Sequence, residues 1–413
     1  MQRRLGREGT RLRCGNAVVD LARFRDVRVI AIGKAAHAMT EGLAAVLAAG
    51  FPVNGIVSAA TAPVRPLAGM RYFTAGHPVP NEESLAAARE ILALLAGCGE
   101  NSLVIFLLSG GGSALVEQSL AQSVTLKDTQ ILHRALVTCG APIDAINAVR
   151  KHFSAVKGGR LAAAAPRATK LTYAVTDVPE GRESALASGP TIPDPTTRED
   201  AARVLTEYGL KENLPATIRR WMEEKGIPET PKAGDPAFER SHFSLLLGMR
   251  DLLHRAHIAA QEAGCETECD NTTDDWPVRK AADHLLAQLE DLRAAHPGRR
   301  VALIADGEVS SPVTGNGIGG RNAAFVLACV RKIAGRRIAV LSAGTDGIDG
   351  NSQAAGAVAD GQSSERARAA GIDADDAFQR SDAYTFFESL GDSVVTGPTG
   401  NNLRDLRILL FDP

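Results

Sequence analysis

The stretch Val301-Ala302-Leu303-Ile304-Ala305-Asp306-Gly307-Glu308 opens with five apolar residues and closes on two acids around a glycine. It runs on into Gly315-Asn316-Gly317-Ile318-Gly319-Gly320-Arg321-Asn322, and the segment from Ala323 to Ile333 reads as a helix. The plan then repeats, because the apolar run from Ile338 to Leu341 empties into Ser342-Ala343-Gly344-Thr345-Asp346-Gly347-Ile348-Asp349-Gly350. Two strands that end in acid-and-glycine loops, with a helix between them, predict an α/β architecture. The loops also suit a phosphate and metal site. Glycines let backbone N–H groups curl round an anion, an arginine offers a fork to phosphoryl oxygens, and hard carboxylates bind Mg²⁺. Solvated turn acids are the simpler reading of either loop taken alone.

Outward from this stretch, 413 residues predict two or three domains at about 150 residues each. The chain is 45% hydrophobic but only 4% aromatic, so its cores must be built from Ala, Leu, Val and Ile. A net charge of −2 offers no field for nucleic acid or an anionic membrane. The one basic cluster is Arg3, Arg4, Arg7, Arg11 and Arg13, which has no apolar core and reads as a frayed tail rather than a targeting segment. No apolar run approaches the roughly 20 residues of a membrane span. Six scattered cysteines in so long a chain point to a reducing compartment, and the expected location is cytoplasmic. Cys265 and Cys269 form a C-x₃-C pair without a second pair at zinc-finger spacing.

In the first half, Val27 to Ile32 reads as a strand running into Gly33-Lys34 and a helix bearing Met39, Leu43 and Val46. Strand, glycine, lysine and helix N-terminus make a phosphate-side geometry, although this is not the Walker A spacing. Further strands are expected at Gly55 to Ala59, Tyr72 to Thr74, Leu103 to Leu108 and Leu171 to Val175, with a helix at Glu82 to Ala96. Leu103 to Leu108 is apolar at every position, as a central parallel strand should be, and it leads into Ser109-Gly110-Gly111-Gly112-Ser113. That loop reads either as an anion nest or as a flexible loop. The turn histidine His77 reads as a satisfied structural residue. Asp177 lies at the carboxyl end of a strand, where ligands bind in open α/β sheets, and is a candidate base or metal ligand.

Asp144 to Lys157 is expected to be helical, with Ile146, Val149, Phe153 and Val156 buried. Its second stripe, Asn147, Arg150, Ser154 and Lys157, fits a solvated face as well as a carboxylate-binding one. Alternating strands and helices predict a doubly wound parallel sheet. The pattern thins from Pro193 to Phe238, which places the domain boundary there: 1–235 and 236–413, with the last residues expected to be free to pack back on the first domain.

Assembled in order, these motifs resemble the glycerate 2-kinase family, whose C-terminal half is often called the MOFRL domain. The resemblance rests on Ile32-Gly33-Lys34-Ala35-Ala36, Gly76-His77-Pro78-Val79-Pro80, Leu108 to Leu115, Ile146 to His152, Lys157-Gly158-Gly159-Arg160-Leu161 and Thr176-Asp177-Val178-Pro179. It continues through Ala187-Ser188-Gly189-Pro190-Thr191, Gly319-Gly320-Arg321-Asn322, Gly344 to Gly350 and Thr396-Gly397-Pro398-Thr399-Gly400. It spans nearly the whole chain, apart from a short Arg-rich start where such proteins usually carry one or two helices. The fold it implies is a Rossmann-like domain joined to a smaller α/β domain with a mixed sheet.

The activity it implies is ATP- and Mg²⁺-dependent phosphorylation of D-glycerate, usually at the 2-hydroxyl, in a cleft between the two domains. Lys34 and Arg321 are then expected to act on the transferring phosphoryl group, with Asp177 close by. Ser109, Gly110, Gly111, Gly112, Ser113 and Arg150 are the candidates for the substrate carboxylate, Asn322 joins the phosphate-binding set, and Asp346, Asp349 or Glu308 would hold Mg²⁺. The partners expected are a small hydroxy acid and a nucleotide, without nucleic acid or membrane, and with a homodimer left open. The rival is an NAD(P)H-dependent hydroxypyruvate reductase, because Gly315-x-Gly317-x-x-Gly320 fits the dinucleotide fingerprint as a string, although it does not directly follow its strand.

Overall fold

A computed structural model describes residues 4–15, 17–47, 50–178 and 181–413. Arg3 of the basic start and Pro179 of the motif after Asp177 lie outside the described residues. Contacts divide the chain into two units, Met1–Leu246 and Leu247–Pro413.

The first unit begins with a three-stranded antiparallel sheet of β1 (Leu5–Glu8), β2 (Arg11–Cys14) and β3 (Ala17–Asp20). The frayed-tail expectation is corrected here. Leu5, Leu12 and Cys14 are buried while Arg11 and Arg13 point to solvent, a period-two pattern that the arginines obscured. Arg7 ties this sheet to the rest by donating from Nε to the Val46 carbonyl at 3.1 Å.

Six strands build the main sheet of this unit: β4 (Asp26–Ile32), β5 (Asn54–Ala59), β6 (Met70–Thr74), β7 (Ser102–Leu108), β8 (Thr169–Val175) and β9 (Ser241–Leu247). Their spatial order is β6-β5-β4-β7-β8-β9, and the pairings from β6 through β8 are parallel. The chain therefore winds outward from β4 in one direction and from β7 in the other. β4 and β7 lie side by side, Asp26 opposite Ser102 and Ile32 opposite Leu108. Their inward residues Ile30, Ile32, Val104, Phe106 and Leu108 pack with Ala88, Ile91 and Leu95 of the helix Glu82–Ala96. That helix starts with a reciprocal Asn81–Ser84 capping box. β9 moves the domain boundary past Asp235, because it completes this sheet.

The helix expected to end at Lys157 spans Ile143–Phe153 and stops at Ser154, which is extended and bridges to Ser119. Its second stripe is not solvated, since Asn147, Ser154 and Lys157 are all buried. Glu117 explains why. The Lys157 ammonium donates to one of its oxygens, Ser154 donates to the other at 2.6 Å, and His133 lies 3.1 Å away. Burial pushes the Glu117 carboxyl up, but the Lys157 charge and the donors from His133 and Lys157 outweigh it and hold it at about 2.

The second unit has a six-stranded mixed sheet. Its strands are β10 (Glu266–Asp270), β11 (Val301–Asp306), β12 (Ile338–Gly344), β13 (Gly356–Asp360), β14 (Ser393–Val394) and β15 (Asp405–Phe411), in the order β10-β11-β15-β12-β13-β14. β10 and β11 are parallel and the remaining pairs antiparallel. The last residues form β15, which is inserted between β11 and β12 in this sheet. Helices Val278–Ala295 and Arg321–Val330 bring Leu285, Leu289, Phe325 and Val326 into one core with Leu303, Val340 and Leu409.

Removing one partner from a buried ion pair leaves the other charge uncompensated, at a cost of about 3–5 kcal/mol. Glu117→Gln should lose stability on that scale at pH 7, read by urea unfolding. Because the folded Glu117 pKa is depressed, its contribution is complete above the unfolded value of 4.5 and disappears as pH falls toward about 2. The gap between wild type and variant should close over that window.

Candidate active site

In an open α/β sheet, ligands bind beyond the carboxyl ends of the strands where the winding reverses. In the first unit that place is the end of β4 and β7, and the loops there are Gly33-Lys34 and Ser109 to Ser113. The two loops are fastened together. Lys34 donates its backbone N–H to the Gly110 carbonyl at 2.9 Å, and Ala35 donates to Ser109 Oγ at 2.9 Å. Gly33 has φ +125°, and a Cβ there would stand 2.2 Å from Ser109 Oγ and 2.5 Å from its carbonyl oxygen, so only glycine permits the crossing.

The three glycines that follow are the meeting point of the predicted side chains. A Cβ on Gly111 would lie 3.4 Å from Lys34 Cγ and 3.1 Å from His77 Nε2, and one on Gly110 would lie 3.7 Å from Asp177 Oδ2. Lys34 and Asp177 are half-buried. Lys34, Asp177 and the glycine loop are thus brought together as expected, and His77 joins them. His77 is exposed overall, but burial of its ring and the nearby Lys34 charge lower its pKa. The loop hydroxyls are already engaged: Ser109 Oγ accepts from Ala35, and Ser113 Oγ is 2.8 Å from Ser188 Oγ.

Arg150 belongs elsewhere. It lines a small cavity with Glu117, His133, Ser154 and Ile218, and its Nε is buried without a hydrogen-bond partner. Asn147 is the residue of that helix that reaches toward the glycine loop, through Ser188 at 3.3 Å.

In the second unit, the loops after β11 and β12 cross beside the start of β15. A Cβ on Gly320 would fall 2.3 Å from Asp349 Oδ1. Asp349 is buried, and its carboxylate caps the helix that follows: Oδ1 accepts from the Asn322 N–H at 3.0 Å and Oδ2 from the Ala323 N–H at 2.8 Å. Burial raises its pKa despite those donors. Asn322 is also committed, accepting from Ser342 Oγ at 2.5 Å.

Arg321, the first residue of that helix, donates from Nε to Asp405 Oδ2 at 2.5 Å and from Nη2 to Asp405 Oδ1 at 3.2 Å. Its Nη2 also lies 2.7 Å from Glu308 Oε1. Burial works against the guanidinium charge, but Asp405 and Glu308 outweigh it and raise its pKa. Glu308 and Asp346 are half-buried, and Asp346 Oδ1 accepts from the Ile348 N–H at 3.1 Å. Asp405 has no signal in the sequence that marks it as a partner of Arg321, because nothing in the spacing around it distinguishes that acid. Among the described residues, no three or more His, Cys, Asp or Glu side chains gather to hold a metal ion, and no helix is long and apolar enough to cross a membrane.

The family described as Domain of unknown function (DUF4147) matches residues 1–223, and the MOFRL family matches residues 301–405. D-glycerate 2-kinase of Thermotoga maritima is 35% identical, over 93% of this chain and 90% of its own length. A relative from Agrobacterium vitis with the provisional name hydroxypyruvate reductase is 38% identical, over 93% of this chain and 86% of its own. The crystal structure of glycerate kinase from Thermotoga maritima superposes with a TM-score of 0.84 at 35% identity, covering 93% of this chain and 91% of that one.

Replacing Asp349 with Ala strands two backbone donors at the start of the Arg321 helix, which costs about 1–3 kcal/mol. Thermal unfolding should record that loss, and Asp349→Asn, which keeps one acceptor, should lose less.

Proposed function

As the chain belongs to the glycerate 2-kinase family, we propose that it transfers the γ-phosphoryl group of ATP to D-glycerate, at the 2-hydroxyl. The observation that carries this reading is the convergence of Lys34 and Asp177 on Gly110 and Gly111 at the winding reversal of the first sheet. Phosphoryl transfer asks a protein for positioning and charge neutralisation more than for covalent chemistry. Backbone N–H groups of the Gly110 to Ser113 loop receive an anionic group of the substrates, and Lys34 and Arg321 neutralise charge on the phosphoryl oxygens. Asp177 orients the hydroxyl and takes its proton.

Mg²⁺ fits as a cation carried in with the nucleotide, since it keeps several waters and needs only one or two protein carboxylates beside the phosphates. Asp346 and Glu308 are the half-buried carboxylates that would hold it. Asp349 does not fit that role, as both its oxygens accept from the helix N-terminus. When bound, the ion supplies positive charge against the phosphate oxygens.

The reductase reading loses its sequence support at Gly315 and Gly317. A Cβ on either would strike the Arg380 carbonyl, at 2.4 Å and 2.7 Å, so chain packing already demands glycine at both. The six free thiols are compatible with a reducing compartment, and we assign the protein to the cytoplasm.

The test is ADP release from ATP and Mg²⁺ with D-glycerate, run beside NADH oxidation with hydroxypyruvate, with phosphorus NMR on the product. ADP release and a 2-phosphoglycerate signal are expected, and turnover only in the NADH arm refutes the reading. Lys34→Ala and Arg321→Ala should each lower kcat by about 10²- to 10³-fold.

A further inference from the structure

Arg321 has two carboxylate partners of different character. Asp405 grips it through two hydrogen bonds, and its side chain is only 3% exposed. Glu308 Oε1 lies 2.7 Å from Nη2, on a side chain that is 34% exposed. Asp405 is itself fixed from below. It sits opposite Gly344 at the first position of β15, and the fully buried Arg407 has Nη2 3.8 Å from its Oδ2. Arg407 is in turn held by its Nη1 bond to the Gly307 carbonyl at 2.8 Å. Glu308 rests on a separate link, its backbone N–H donating to Asp274 Oδ1 at 2.8 Å.

We propose that Asp405 is the positioning residue that aims the Arg321 guanidinium, and that Glu308 is the exchangeable counter-ion that an incoming phosphate oxygen displaces. A bidentate carboxylate fixes the plane of a guanidinium as well as its charge. Nε and one edge of Nη2 are taken by Asp405, so the part of the guanidinium left to meet a ligand is Nη1 together with the Nη2 edge now turned to Glu308. A half-exposed ion pair is weak enough to exchange, whereas breaking the buried one would strand a charge. This inference rests on the kinase reading, with Arg321 acting on the phosphoryl group.

The experiment compares the full-length wild type with Asp405→Asn, Glu308→Gln, Arg321→Ala and the Glu308→Gln/Arg321→Ala double variant. Calorimetric titration with tripolyphosphate in EDTA reads anion binding without metal or turnover, and steady-state kinetics with ATP, Mg²⁺ and D-glycerate read catalysis. Glu308→Gln should bind tripolyphosphate about two- to fivefold more tightly, the size of a half-exposed ion pair, and the gain should vanish when Arg321 is also Ala. Asp405→Asn should lose about 10- to 100-fold in kcat, as for other residues that orient a catalytic group, while KM for ATP stays the same or falls because the arginine charge remains.

A purely structural role for Asp405 would instead reduce the number of tripolyphosphate sites in step with kcat, and that result overturns the proposal. So does weaker or unchanged binding by Glu308→Gln, a gain that survives Arg321→Ala, or no tripolyphosphate binding by the wild type. If Asp405→Asn does not fold, the Glu308 arm still decides. A wild type that binds tripolyphosphate but does not phosphorylate D-glycerate refutes the kinase reading, not the exchange at Arg321.

Discussion

The parallel pairing of β4 with β7 is the constraint on which the first unit depends. These strands are adjacent in space but far apart in sequence, and every residue of β7 is buried. The pairing leaves Gly33 and Ser109 next to each other just past the strand ends. The close approach that follows could not accept a side chain at Gly33. Lys34 and the glycine loop are therefore neighbours by register, before any side-chain preference acts. Asp177 arrives by the same logic, since β8 pairs with β7 in parallel and ends at the same edge.

The second unit reaches a comparable result by a different route. β11 and β12 do not touch; β15 runs antiparallel between them. An antiparallel strand begins where its neighbours end, so Asp405 enters the sheet beside the loops that follow β11 and β12. Two bonds from Thr345 to the Arg404 carbonyl, from its N–H at 3.0 Å and its hydroxyl at 2.7 Å, hold this entry in place. A buried acid is thus delivered to Arg321 by topology, and its burial is tolerated because two guanidinium groups face it.

The extent to which this was readable follows from the kind of signal each element carries. β7 is an unbroken apolar run and the helix Glu82–Ala96 has a clear apolar period, and both occur where those patterns predict. β10 does not, because an edge strand written Glu-Thr-Glu-Cys-Asp has little apolar alternation to read. β1 and β2 were hidden by arginines on the exposed face. Lys34, Asp177 and Arg321 drew notice for local reasons: Lys34 follows a strand-end glycine, Asp177 stands at the carboxyl end of a strand, and Arg321 follows a glycine pair before a helix. Arg150 was misplaced for the opposite reason: a polar stripe on a helix does not tell solvent from a buried carboxylate elsewhere in the chain, and Glu117 is distant in sequence. Asp349 is readable from sequence as an acid in a glycine loop, but whether it faces a metal or a helix end depends on where that helix starts in space.

The remaining motifs find their reason in backbone locking. Ala187 and Ser188 adopt φ of 49° and 59°, a region that costs residues with a Cβ about 1 kcal/mol or more. The surrounding bonds show what holds them there. Gly158 and Gly159 donate to the carbonyls of Ser188 and Gly189 at 3.0 Å and 2.7 Å, and a Cβ on Gly159 would stand 2.7 Å from Phe238 Cζ. Next to these glycines the buried Lys151–Asp194 pair closes at 3.0 Å. The strained turn places Ser188 Oγ where it meets both Ser113 and Asn147. Lys157-Gly158-Gly159 and Ser188-Gly189-Pro190 therefore need touch no substrate to be required: they fix the far side of the loop whose near side faces Lys34 and Asp177.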